Sequence, residues 1–168
     1  MGNLFVVYGD ILSEKLLFLA DVIAMPAYNG NMYPQDELTQ RFFELAGMKR
    51  LETAIYEKYG NEHMEQGDVR KLSGFDLIET VLFVNCADKP LWSLVQSPEV
   101  EKRLIIGYHN ITTIAMLMGY KSILLPNFGA SLSDEENQRM IRRIKQVLLR
   151  ELRRRNMDFY LVLPEYLV

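Results

Sequence analysis

Five short runs of almost uninterrupted apolar residues punctuate this chain: "LFVVY" before Gly9-Asp10, "DVIAMP" ending at Pro26, "TVLFVNC", "SILLP" ending at Pro126, and "FYLVL" before Pro164. A strand with one wet face alternates apolar and polar residues, whereas a strand covered on both faces reads as a continuous apolar run. These runs are rich in Val, Ile, Leu, Phe and Tyr and are bounded by Gly, Pro and Asp, so they read as strands in the interior of a sheet. Covering both faces of a sheet takes helices on each side. The fold class this predicts is α/β, a three-layer α/β/α sandwich around a central sheet.

The segments between the runs supply the helices. From Pro34 to Tyr59 the spacing turns helical, with Leu38, Phe42 and Leu45 expected on one buried face and Leu51, Ile55 and Tyr59 on the next, and Gly47 dividing the two helices. "GDVRKLSG", then a turn at Gly74-Phe75-Asp76, then "ETVLFVNCAD" reads as a strand pair. Ser97 as N-cap and Pro98 at the first helical position open a helix whose stripe is Leu104, Tyr108, Ile111, Ala115 and Met118, with Gly119 ending it. A last helix has a capping box in Ser133 and Glu136, and its buried face is Met140, Ile144, Val147, Leu148 and Leu152. No repeat, linker or low-complexity stretch breaks the chain, and residues 1–168 read as one domain.

Bulk properties exclude several classes of function. The net charge of −3 gives no electrostatic reason to expect nucleic acid as the partner. No apolar run approaches the length of a membrane span and the opening residues do not form a signal peptide, so a cytoplasmic location without membrane contact is expected. A single cysteine, Cys86, allows neither an internal disulfide nor a cysteine zinc cluster. His63 and His109 have no partner at ligand spacing and read as ordinary surface or core imidazoles. The arginines of "RMIRRIKQVLLRELRRR" lie mainly opposite the apolar stripe and read as a solvated face. Trp92 reads equally well as cleft rim or core plug.

In open α/β sheets, ligands bind outside the carboxyl ends of the strands. Two connections qualify by composition. The first follows Pro26 and runs through Ala27-Tyr28-Asn29-Gly30-Asn31 to Asp36; the second follows Pro126 and runs through Asn127-Phe128-Gly129-Ala130-Ser131-Leu132 to Asp134. Small residues in the second let backbone N–H groups approach a phosphate at a helix N-terminus. An ordinary loop with a good N-cap has the same composition.

The order of the segments carries a resemblance. "VVYGDI", "ADVIAMPA", "FFELAG", "EQGDVRKLSGFDL", "ETVLFVNCAD", "RLIIGYHNITTIAMLMGYKSILLPNFGAS" and "FYLVLP" together resemble the landmarks of the macro domain, a fold that binds ADP-ribose and in some members removes it. The resemblance runs from about Leu4 to Pro164 and implies a mixed central sheet. It also implies that Asp10 accepts from an adenine amino group, that the Ile11 backbone helps fix the ring, and that backbone amides from Gly129 to Leu132 cradle a diphosphate.

The distal half of the implied site departs from the pattern. Where the family commonly has Asn-Ala-Ala-Asn, this chain has Met25-Pro26-Ala27-Tyr28, and Asn29 or Asn31 can substitute only if the loop is shifted. The glycine-rich segment that should follow is replaced by "NGNMYPQDEL", in which Pro34 fixes φ and Tyr28, Met32 and Tyr33 add bulk. In the second loop the family's aromatic is missing and Asp134 adds negative charge. The leading expectation is therefore a binder of ADP-ribose or a related adenine nucleotide through Asp10, Ile11, Ala27, Tyr28, Asn29, Asn31, Asn127, Phe128, Gly129, Ala130, Ser131 and Leu132. No metal or cofactor is called for. One alternative is a non-enzymatic domain that contacts a protein partner through Tyr28, Met32 and Tyr33. A second is an ADP-ribosyl hydrolase, for which Asp36, Glu37 and Asn29 are the nearby polar candidates. Whether the chain is an enzyme stays open at this point.

Overall fold

The computed structural model describes residues 2–86, 97–128 and 134–165, and within these the side chains of 97–100 and 134–137 are left aside. In chain order the elements are β1 (Leu4–Tyr8), α1 (Glu14–Leu17), β2 (Val22–Pro26), α2 (Glu37–Ala46), α3 (Met48–Tyr59), β3 (Val69–Gly74), β4 (Ile78–Val84), α4 (Ser97–Leu117), β5 (Ser122–Pro126), α5 (Asp134–Leu152) and β6 (Asp158–Leu163). The strands form one mixed sheet in the order β1-β6-β5-β2-β4-β3. Its pairs are parallel apart from β3, which runs antiparallel to β4 at the edge.

Alternation along the strands sorts the core into two layers. Val22 and Ala24 of β2, Leu82 and Val84 of β4, and Ile123 and Leu125 of β5 point toward α4 and α5, where they meet Leu104, Tyr108, Ile111, Ile144 and Leu148. Ile23 and Met25, Val81 and Phe83, and Leu124 point the other way, against Leu16, Phe42, Phe43, Leu51 and Ile55 of α1, α2 and α3. All five residues of β2 are buried, as the continuous apolar run requires of a strand with helices on both faces. Phe83 meets Phe42 edge-on, with ring centroids 6.2 Å apart.

Local signals explain most boundaries. Asp36 caps α2 in a capping box with Thr39, and Gly47 takes φ 113° between α2 and α3. The end of α4 is a Schellman turn in which Tyr120 N–H donates to Ala115 and Gly119 N–H to Met116, with Gly119 at φ 84°. The expected caps of α4 and α5 fall on side chains outside the described set.

Four sequence expectations need correction. The first apolar run, β1, is an edge strand that exposes Phe5 and Tyr8, because only β6 pairs with it. Leu45 is about half exposed, because α2 buries Thr39, Phe42, Phe43 and Ala46 and so turns its inner face one position away from Leu45. Met118 lies past the end of α4 and is swung outward by the Schellman turn. Helix α1 was not anticipated; it is a single turn, capped by the Ser13 hydroxyl, which accepts from Leu16 N–H at 3.4 Å.

Burial predicts a sharp contrast between two phenylalanines. Phe83→Ala should lower the unfolding free energy by about 3–5 kcal/mol, whereas Phe18→Ala, at a residue that is 83% exposed, should change it by no more than about 0.5 kcal/mol. Urea unfolding of both variants measures the difference.

Candidate functional site

The parallel strands end along one side of the sheet, and the strands part there. β5 pairs with β2 only at Val22↔Ile123 and Ile23↔Leu124, although both strands continue to a proline. On their outer sides the ladders run on, β2 with β4 as far as Pro26↔Val84 and β5 with β6 as far as Pro126↔Val162. Pro26 and Pro126 lack the N–H that a ladder needs. Chain connections also diverge at this point, from β2 toward β3 and β4 and from β5 toward β6. A topological switch point with parting strands is where such sheets hold ligands.

The Tyr108 hydroxyl secures one bank of this opening. It donates to the Pro126 carbonyl and accepts from Phe128 N–H at 3.1 Å, and its ring lies 4.8 Å from that of Phe128. Complete burial pushes the Tyr108 phenol well above its ordinary range, so it stays protonated and can make both bonds. Asn127 is buried beside it. Gly129, Ala130, Ser131 and Leu132 lie outside the described residues.

The other bank is the loop after β2. Ala27 N–H still donates to Val84 O at 2.9 Å, and the chain then makes a tight turn over Tyr28–Gly30. Asn29 has φ 58° and Gly30 φ 75°, a left-handed pair that suits these residue types. A Cβ on Gly30 would lie 2.4 Å from the Met64 carbonyl oxygen and 2.6 Å from His63 Nε2, so only glycine fits beneath that segment. Met64 N–H donates to Gly30 O, and Asn85 Nδ2 donates to Met64 O at 2.9 Å. Asn31 Oδ1 accepts from Tyr33 N–H in a second turn, and Gln35 Nε2 donates to the carbonyls of Tyr28 and Asn31. These bonds pin the loop at both ends.

Side-chain roles in this loop differ from the sequence expectation. Tyr28 and Met32 are each only 4% exposed: Tyr28 belongs to the core layer under α4 and α5 with Cys86, Tyr108 and Phe128, and Met32 belongs to the opposite layer. The exposed aromatic and methionine patch expected of a protein-contact surface is therefore not formed. Burial first, and then the neighbouring Asp36 carboxylate, push the Tyr28 phenol up. Asp36 itself accepts from Thr39 N–H at 2.9 Å and from the Thr39 hydroxyl at 2.7 Å, so its carboxylate serves the start of α2. Glu37 is exposed in the first turn of that helix.

Asp10 follows β1, three strand positions from β2 across the sheet, which is roughly 14 Å at ~4.8 Å per strand. A ligand reaching from Asp10 to the β2 loop must be extended. Ile11, next to it, is buried. The Asp10 carboxylate receives Leu12 N–H at 3.0 Å on Oδ1 and a two-pronged contact from Arg41 of α2, at 3.2 Å to Oδ1 and 2.7 Å to Oδ2. The Arg41 guanidinium, ahead of the Leu12 amide, holds the Asp10 carboxyl below its ordinary value. Sequence reading missed this partner, because nothing in the spacing of Asp10 and Arg41 announces their contact.

His63, read from sequence as unremarkable, sits against Gly30. With Asn29 it forms a ridge shared by two clefts, one of about 410 Å³ that reaches Asn31, Tyr33 and Asn61, and one of about 440 Å³ that reaches Gln66, Asn85 and Arg103. Cys86 is buried and abuts Gly107 of α4. Among the arginines at the end of α5 and just beyond it, Arg155 is an exception to the solvated face, being buried and paired with Glu151 at 2.8 Å. Among the described residues no group of three or more His, Cys, Asp or Glu side chains is placed to hold a metal, and no helix is long and apolar enough to cross a membrane.

A mixed six-stranded sheet with helices on both faces has counterparts among solved structures. A variant of the Oceanobacillus iheyensis macrodomain solved with ADPR superposes with a TM-score of 0.74 at 19% identity, over 95% of this chain and 83% of that one. This chain has the macrodomain fold. The same Oceanobacillus macrodomain with ADP gives a TM-score of 0.73 at 20% identity, over 95% and 81% of the two chains. The macrodomain of Thermus aquaticus DarG gives 0.66 at 15% identity, over 98% of this chain and all of that one. No protein-family model and no curated protein sequence matches the chain.

Two outcomes follow from this geometry. Tyr108→Phe should leave the buried Phe128 N–H and Pro126 carbonyl without their shared partner and cost about 1–3 kcal/mol, read by thermal or urea unfolding. Because the Asp10 carboxyl is held below its ordinary value of 3.8, its pair with Arg41 adds stability above that pH and loses it as the pH falls through the lowered value. Both side chains are more than a third exposed, so replacing Asp10 with Asn should remove under about 1 kcal/mol of the acid-side pH dependence, measured as unfolding free energy between pH 2 and 7.

Proposed function

We propose that this macrodomain binds ADP-ribose or a related adenine nucleotide across the carboxyl ends of its strands. In this reading the base lies by Asp10 and the Ile11 backbone, and the diphosphate lies over the parting of β2 and β5, near Asn127 and Phe128 and the Gly129 to Leu132 segment. The distal group meets Asn29 and Asn31, while Ala27 and Tyr28, buried in the core, hold the loop beneath it. The observation that carries this reading is the early end of the β2–β5 ladder at the switch point, in a fold whose solved neighbours include one with ADPR and one with ADP. An ionised carboxylate at Asp10 adds an acceptor for an exocyclic amine.

A thermal-shift titration with ADP-ribose, alongside AMP and NAD, tests the reading. Ligand at about a hundred times its dissociation constant should add roughly 2.7 kcal/mol, a rise of roughly 5–11 °C for a domain of this size. Asp10→Ala should weaken ADP-ribose about tenfold or more while the free protein still melts cooperatively. A flat trace at millimolar ligand, or an Asp10 variant that binds as tightly as wild type, would count against this assignment.

A further inference from the structure

We propose that Arg41 reads the base together with Asp10, presenting a hydrogen-bond donor beside an acceptor, so that the site recognises an amino group and the ring nitrogen next to it as a pair. The inference rests on the nucleotide reading above, and its new element is Arg41. Oδ1 of Asp10 already receives Leu12 N–H and one Arg41 nitrogen, whereas Oδ2 receives only the other Arg41 nitrogen among the described residues. A carboxylate oxygen has two lone pairs, so Oδ2 retains an outward acceptor. A guanidinium has five N–H donors, and Arg41 commits two of them to Asp10. The Asp10 side chain is 45% exposed and that of Arg41 is 42% exposed, so solvent reaches both groups and a ligand can do the same.

The two free positions lie side by side, because the 2.7 Å contact joins the atoms that carry them. Adenine offers the complement: its exocyclic amine donates, and the ring nitrogen on either side of it accepts. A 6-oxo purine replaces that donor with an acceptor and would face the Asp10 carboxylate with a lone pair. Arg41 is also set firmly enough to act in this way. It projects from α2, whose start is fixed by the Asp36–Thr39 capping box, and the two-pronged contact orients its plane. Glu37 and Glu44 on the same helix add favourable charge around it.

Calorimetric titration of ADP, 1-deaza-ADP and 7-deaza-ADP against wild type, Arg41→Met and Arg41→Lys tests this, since each deaza analogue lacks one of the two ring acceptors and keeps the amine. Wild type should bind one analogue about tenfold more weakly than ADP. Arg41→Met should bind ADP about tenfold more weakly and should no longer distinguish it from that analogue. Arg41→Lys keeps a cation beside Asp10 but not the planar fork, so it should also lose most of the discrimination; a residue that merely positions Asp10 would leave the ratio at its wild-type value. Equal penalties for the analogues on all three proteins, or no penalty on wild type, would overturn the role of Arg41 and leave nucleotide binding standing. Failure of wild type to bind either ADP or ADP-ribose would overturn the nucleotide reading and this inference with it.

Discussion

The parting of β2 from β5 is the constraint on which the site depends. Two neighbouring parallel strands ordinarily pair along their whole length, because each unpaired backbone group in a buried sheet is costly. Here the ladder stops after Ile23↔Leu124, while the bonds on the outer sides of the two strands run on. On the β2 side they continue with β4, where Ala27 N–H meets Val84 O. On the β5 side the Tyr108 hydroxyl joins Pro126 to Phe128. An opening at the centre of the sheet is thus stabilised by bonds made at its margins, and the loops beyond it start from fixed positions.

The loop after β2 illustrates how this support is distributed. It straddles the sheet, with Tyr28 packed into one core layer and Ala27 and Met32 into the other. Two left-handed residues turn it, and the 63–64 segment presses on Gly30 from above. A glycine-rich loop is mobile until a ligand orders it, whereas this loop is ordered by the protein itself. Preorganisation of that kind lowers the entropic cost of binding and narrows what can bind. The ridge of Asn29 and His63, with polar clefts on each side, is a consequence of this arrangement.

Pattern-based reading succeeded where one kind of force dominates. Continuous apolar runs gave β2, β4, β5 and β6 as strands of a doubly covered sheet, although β1, read in the same way, is an edge strand with Phe5 and Tyr8 exposed, and the Gly47 and Gly119 breaks fell where helices end, because burial period and chain stereochemistry are local properties. It failed where neighbours compete. Leu45 fits the helical stripe of α2 as well as Phe43 does, but the larger ring takes the inner position. Tyr28 and Met32 look like exposed binding residues from their place in a polar loop, yet the tight turn folds both side chains back into the core. The hydroxyl of Tyr108 was the one unexploited signal, since a tyrosine in a buried stripe needs a polar partner.

From its sequence alone, then, this protein's layered α/β class, most element boundaries and the two loops that flank its switch point could be determined, because these follow from hydrophobic period, proline and glycine. Tertiary structure decided the rest: that β2 and β5 separate early, that Arg41 meets Asp10 across 31 positions of chain, and that His63 rests on Gly30. Such contacts join residues whose separation in sequence carries no periodic signal. They arise only once the sheet order has placed β1, α2 and the segment after α3 around the same strand ends, and geometry then selects the pairs.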